Sequence, residues 1–192
     1  MESYELLTGV GFLYIAPVGT AFPALTVATP ASPWVALGET QDGVKLTIAK
    51  SVEQIRVDQR HGPVKAILPE SDGTIETKLA LGTLENLAYI LGNTVTDTAP
   101  GAGTIGTRAL GLYPNSETQE YSILFRGQSP YGDFPGQYQL PRGYFDGDIE
   151  MEHKKDGNVA FPISFMVLED LDAATEDLRY GQALYQDAAA LP

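Results

Sequence analysis

Val44-Lys45-Leu46-Thr47-Ile48-Ala49 places apolar residues at every second position, and the same period returns in Ile75-Glu76-Thr77-Lys78-Leu79-Ala80-Leu81. In an extended chain successive side chains leave opposite faces, so each stretch predicts a strand with one face buried and one in water. Beyond Ser51 the apolar set changes parity to Ile55 and Val57, sharing a face with Glu53, while Gln54, Arg56 and Asp58 take the other. One extra residue exchanges the faces of a strand, so a bulge near Ser51 or Val52 is expected. Arg60-His61-Gly62-Pro63 breaks the strand, Val64, Ala66 and Leu68 resume it, and Glu70-Ser71-Asp72-Gly73 predicts a hairpin turn. With the turn signal Gln41-Asp42-Gly43 before it, the segment 44–81 reads as a meander of long strands.

Immediately after the meander the period changes from two to 3.6. Leu84, Leu87, Ala88 and Leu91 recur at helical spacing behind Thr83, a good N-cap, with Glu85 in the first turn and Gly92 as the stop. The helix, about 83–91, is too short to stand alone, so its leucine face must pack on the sheet. Residues 93–106 read as a long Thr/Gly/Ala/Pro loop, 107–113 and 120–126 as strands, and 127–142 as a second long loop punctuated by Pro130, Pro135 and Pro141. Strands are expected again at 144–153 and 159–168, joined by a turn at Lys154-Lys155-Asp156-Gly157-Asn158. A tail from 169 to 192 is acidic and alanine-rich, with a helix possible over 171–185. Toward the N-terminus, Val10 to Ile15 forms one strand candidate. Pro17, Pro23, Pro30 and Pro33 then mark 17–33 as a surface arm, because proline cannot donate to a ladder.

About eight strands and one helix define a mainly β class: a β-sandwich or barrel-like fold with one short flanking helix and long loops. At 192 residues a single domain 1–192 is expected, divided into an arm (1–33), a β core (34–168) and the acidic tail (169–192). The absence of cysteine excludes disulfides and thiol chemistry. A net charge of −13 works against tight wrapping by nucleic acid. The longest nearly apolar run, Ala160 to Leu168, falls far short of the roughly 20 residues of a membrane span. No basic residue precedes Lys45, so neither a secretory nor a transit signal is expected, and synthesis is expected in the cytoplasm.

Signals for chemistry are sparse. His61 and His153 lack metal-ligand spacing and read as a turn residue and a solvated strand-end residue. Gly101-Ala102-Gly103-Thr104-Ile105-Gly106 matches a dinucleotide fingerprint by letter, but it follows a loop and leads into a strand, which is the wrong context. No catalytic, cofactor-binding or metal residue is assigned. The unusual feature is Asp146, Asp148, Glu150 and Glu152, four carboxylates at two-residue spacing, about 6.6–6.8 Å apart along one face of a strand. A solvated face, a calcium or magnesium site and the wall of an acidic channel all remain open, although carboxylates on a straight strand diverge rather than converge on a cation. Acids beside Tyr131, Phe134, Tyr138 and Tyr144 keep a glycosidase or carbohydrate-binding barrel as the enzymatic alternative.

The block Trp34-Val35-Ala36-Leu37-Gly38-Glu39-Thr40-Gln41-Asp42-Gly43-Val44-Lys45-Leu46 resembles the opening of the tail tube proteins of long-tailed phages. Glu53-Gln54-Ile55-Arg56-Val57-Asp58-Gln59, Gly62-Pro63-Val64, Thr77-Lys78-Leu79-Ala80-Leu81 and Thr83-Leu84-Glu85-Asn86-Leu87 follow in the order such proteins show. The resemblance covers about 34–92. It implies a non-enzymatic virion protein of the siphovirus type whose copies form six-membered rings stacked into a tube. Through that tube DNA leaves the capsid, and the tape measure protein occupies it beforehand. Tail terminator and baseplate or distal tail proteins are the further partners implied. A contractile-tail or type VI secretion tube is the structural alternative.

Ring assembly agrees with long strands whose edges need partners. The Gly-Pro-broken arms of 51–69 suggest an inter-subunit hairpin carrying Glu53, Ile55, Arg56, Asp58, Arg60, His61, Val64 and Lys65. Six copies would carry a formal charge of −78. An acidic bore, with Asp146, Asp148, Glu150 and Glu152 as candidates, would let duplex DNA slide where a basic one would hold it.

Overall fold

In the computed structural model residues 11–80, 83–149 and 161–189 are described. The chain forms β1 (Phe12–Pro17), β2 (Val35–Ala36), β3 (Thr40–Ile55), β4 (Lys65–Leu79), α1 (Leu84–Leu91), β5 (Thr96–Thr98), β6 (Thr107–Ala109), β7 (Glu120–Gln128), β8 (Pro135–Asp146), β9 (Phe161–Val167) and β10 (Gln182–Tyr185). The fold is mainly β, with one α-helix among the described residues. The main sheet runs β2-β1-β7-β8-β9-β4-β3, and every pairing in it is antiparallel. One margin of β8 is shared: β9 pairs with Gly143–Asp146 and β10 with Gly136–Gln139. The hairpin β5–β6 is a separate small sheet.

Leu13, Ile15, Leu37, Ile75, Leu79, Ile123, Leu140 and Phe165 meet in one buried cluster, so β1 and β4, which are not neighbours in the sheet, share a core. α1 packs Tyr89 and Ile90 against that core and buries Leu87, Ala88 and Leu91. Thr83 accepts the Asn86 amide, and Gly92 ends the helix in the left-handed region at φ 68°. Asn86, buried with them, donates from Nδ2 to the Leu37 carbonyl at 2.8 Å and ties the helix to the strand edge.

The opposite face of β1 and β7 is buried as well. Tyr14, Ala16 and Leu124 pack beneath Trp34 and Phe22 in a second cluster. The arm 17–33 is therefore not a free surface arm: it is strapped across the sheet. Arg126 donates to the carbonyls of Ala24 (2.6 Å) and Ala28 (3.4 Å), and Gln137 donates to that of Pro23 (3.1 Å). Proline-rich backbone offers carbonyls and few N–H groups, and donors rising from the sheet match that supply.

Several sequence expectations change. The turn expected at Glu70-Ser71-Asp72-Gly73 does not form; β4 runs straight through it, with Gly73 opposite Ile48 and Val167. The register shift expected near Ser51 is present, but the extra residue lies across the ladder: Leu68 and Pro69 oppose Val52. Asp42 and Gly43, at φ 65° and 79°, are a two-residue irregularity inside β3 rather than a turn before it. The expected loop 127–142 is mostly β8, reached by a short turn. Pro135 opens the strand, and Pro141 sits at a bulge opposite Ser122, whose Oγ donates to the Pro141 carbonyl at 2.7 Å. Prolines at a strand start and a bulge leave the ladder intact.

The strand expected over 107–113 is confined to β6, whose partner β5 lies in the expected loop 93–106. The helix expected over 171–185 is a 3-10 turn at Glu176–Leu178 followed by β10. The turn 154–158 lies outside the described residues.

Candidate functional site

β9 covers β4 only from Gly73 to Leu79, whereas β3 continues along β4 to the pair Ile55–Lys65. From Ala49 and Asp72 outward the two strands therefore project as a ribbon without a third strand among the described residues. The six residues Lys50–Ile55 give it a reach of about 20 Å. Its tip is folded back by Arg60 N–H to the Val57 carbonyl (3.1 Å) and Val64 N–H to the Ile55 carbonyl (2.9 Å).

All eight residues assigned to a hairpin fall on this ribbon, and all are exposed: Glu53 and Ile55 on the outgoing strand, Arg56, Asp58, Arg60, His61 and Val64 at the tip, Lys65 on the return. Sequence reasoning missed Lys50, Val52, Ile67 and Leu68. Val52 and Leu68 are 59% and 53% exposed, and Ile55, Val57, Val64 and Ile67 lie beside them in water. Two-stranded ribbons are marginal alone, and covering these half-exposed side chains would add roughly 1 kcal/mol each.

The charges divide in the same way. Lys50 to Lys65 carries four cations and two carboxylates, a net +2 inside a chain of −13. In the body Lys45 pairs with Glu76 (2.9 Å), Lys78 with Asp42 (2.8 Å), Arg142 with Glu120 (2.6 Å) and Arg179 with Glu169 (3.6 Å), while Arg108 bridges Asp97 and Glu85. Arg126 spends its donors on carbonyl oxygens, and its burial pulls its pKa down. Apart from this buried Arg126, the cations among the described residues without a carboxylate within ion-pair distance are Lys50, Arg56, Arg60 and Lys65, all on the ribbon.

The acidic run has a different shape from the one expected. β8 ends at Asp146, and Gly147, at φ 104°, turns the chain out of the strand, so Asp148 does not continue its face. Glu150 and Glu152 lie outside the described residues. Asp146 stands in register with Ser164, Glu76 and Lys45 across four strands. It borders, with Asp148, a groove of about 490 Å³ also lined by Asp42, Lys78 and Pro162. Because Lys45 and Lys78 are each paired, the surplus charge of this groove is that of Asp146 and Asp148.

Of the aromatics of the carbohydrate alternative, Tyr138 is occupied internally, whereas Tyr131 stays 49% exposed. Tyr138 stacks on Phe125 at 5.4 Å, and Tyr185 donates its hydroxyl to that of Tyr138 at 2.7 Å with Tyr131 against its ring edge. Burial, and then that hydrogen bond, push the Tyr185 hydroxyl pKa up. Among the described residues no group of three or more His, Asp or Glu side chains is placed to hold a metal ion. No described helix is long and apolar enough to cross a membrane.

The family model described as phage tail tube protein matches residues 2–180. The chain belongs to the phage tail tube protein family. Its role is that of a structural component of the virion tail, a part that works by self-assembly. The match takes in the strapped arm, both long strands of the ribbon, α1 and the acidic turn, so it extends well beyond the 34–92 stretch on which the sequence resemblance rests. A comparison with the curated proteins finds no match.

Proposed function

We propose that this tail tube protein assembles through its projecting ribbon into six-membered rings that stack as a non-contractile tube, the conduit for DNA ejection. The observation that carries this is the ribbon itself: two long strands leave the sheet with apolar side chains in water and with cations that no carboxylate of the described body neutralises. A lone globule gains nothing from such an element, whereas a neighbour gives it a third surface and counter-charges. The preference for a tube without a contractile sheath follows the resemblance to long-tailed phages.

In the tube, the groove bordered by Asp146 and Asp148 is assigned to the bore, with Glu150 and Glu152 as further candidates. A surplus of carboxylates keeps the duplex from releasing counterions onto the wall. The tape measure protein fills the bore before release, and terminator and distal tail proteins close its ends. Negative-stain imaging and sedimentation of the full chain over a rising concentration series test the assembly: six-fold rings or tubes are expected. A chain that stays monomeric throughout overturns the proposal.

A further inference from the structure

At the root of the ribbon, on the body side, lies a groove of about 430 Å³. Leu68, Pro69 and Tyr180 form its apolar part, and Glu70, Asp72 and Glu169 its acidic rim. Tyr180 is fixed there, donating to the Ser71 carbonyl at 2.6 Å and accepting from Ser71 Oγ at 3.1 Å. Glu169 already faces Arg179, but among the described residues Glu70 and Asp72 have no ion-pair partner. Among the described residues the molecule thus presents two sets of charges without an ionic partner: Arg56, which donates only to Gln54 Oε1 (3.2 Å), and Arg60 at the ribbon tip, and Glu70 and Asp72 around a cavity at its root.

The two sets cannot meet within one chain, because about 20 Å of paired strand holds them apart. We infer that the root groove of one copy receives the arginine-bearing ribbon tip of another copy, Arg56 and Arg60 entering against Glu70 and Asp72. The occupant is a second copy of this chain because the donor cations and the acceptor carboxylates are complementary in sign and number, and each is flanked by exposed aliphatic side chains. A planar guanidinium suits such a place, since it can pair with a carboxylate while lying against Tyr180 and Pro69. Because tip and root are different surfaces, every copy is at once donor and acceptor. A head-to-tail contact of that kind closes into a ring or runs on as a stack, and does not stop at a dimer.

The inference rests on the ribbon-mediated assembly proposed above, and a pair of charge reversals separates the two. R56E/R60E makes the tip acidic, and E70K/D72K makes the root basic; both change exposed residues, and thermal unfolding of each full-length variant verifies its fold. Alone, each variant sets like charges against each other and should need at least about tenfold more protein to assemble than the unmodified chain. Mixed one to one, the two should co-assemble in alternation near the unmodified concentration, because every tip then finds an opposite root.

If each reversal blocks assembly and the mixture stays blocked, the groove is not the acceptor, while the ribbon keeps its part. If R56E/R60E assembles as the unmodified chain does, the tip is not the donor, and the ribbon proposal fails with it. An unmodified chain that never assembles overturns the tube proposal, and this inference falls with it.

Discussion

Replacing Arg126 by alanine asks what holds the 17–33 strap on the sheet. The guanidinium makes two bonds to Gln137 Oε1 (3.2 and 3.1 Å) and two to strap carbonyls, at 2.6 Å to Ala24 and 3.4 Å to Ala28. Hydrogen bonds from a charged donor contribute about 1.5–3 kcal/mol net when buried, and the long one to Ala28 belongs at the weak end. The freed carbonyls can turn to water, so the strap as a unit should lose about 2–4 kcal/mol. The Phe22–Trp34 contact and the bond from Trp34 Nε1 to the Ala21 carbonyl (3.1 Å) remain.

Hydrogen exchange reads this directly at the Val27 amide, which bonds the Ala24 carbonyl inside the strap. At 1.4 kcal/mol per decade, its exchange should accelerate about 30-fold at the lower bound. The Ile123 amide, in a central strand, should change far less. Arg126→Lys, which keeps the charge but loses the fork, should recover only part of the protection. Unchanged exchange at Val27 would show that Trp34 packing alone retains the strap. Equal acceleration at Val27 and Ile123 would show that Arg126 supports the whole core instead.

Three further outcomes are expected. A methyl at Gly143 would run into the Met166 carbonyl and the Phe165 ring, so Gly143→Ala should cost about 1–3 kcal/mol and lower the Tm by several degrees in a thermal melt. The hydrogen bond from Arg108 holds the Asp97 carboxyl below its usual range, so its contribution to the β5–β6 hairpin is present above the ordinary carboxylate pKa and fades as pH falls through the folded value. The NMR shift of the Asp97 carboxyl should report a titration below the ordinary carboxylate range that moves up into that range in Arg108→Gln; an unmoved midpoint would show that Arg108 is not its cause. On the proposed bore, tubes built from D146K/D148K should retain duplex DNA at low salt and release it as salt rises, while unmodified tubes should not retain it; equal behaviour would move these residues off the wall.

What could be read from the sequence depended on how local its cause was. α1 was legible to the residue because Thr83, the leucine spacing and Gly92 act within one helix. The alternating strands were legible wherever one face meets the core, as in Ile75 and Leu79. Proline was misleading: Pro69 and Pro141 suggest loops, yet both stand at bulges where no ladder donor is needed, and a bulge is visible only once its partner strand is known. Gln182–Tyr185 carries helix-tolerant residues and becomes a strand because the lower margin of β8, left open by β9, supplies a ladder. The acidic run was read as one strand because its alternation is regular, but Gly147 turns the backbone after the first carboxylate. Of the candidate site, the ribbon's charged residues were found through the Gly62-Pro63 break, whereas Val52 and Leu68 were missed because a period of two assigns apolar residues to a core.

The error at Glu70-Ser71-Asp72-Gly73 and the function of the ribbon share one physical origin. Sequence reading treats a polar cluster between apolar runs as a turn because it assumes that a strand must bury a face within its own chain. Between Ala49 and Asp72 no third strand among the described residues supplies such a face, so polar residues are tolerated on both sides and the strand continues through a turn-like sequence. The apolar residues that persist there, Val52, Ile55, Ile67 and Leu68, keep 37–59% of their surface exposed in the isolated chain. A pairing sustained over so many residues with so little return from its own fold is what the proposed docking on a neighbouring copy would account for. In the assembly proposed above that surface is another copy, whose body carries a net charge opposite in sign to that of the ribbon.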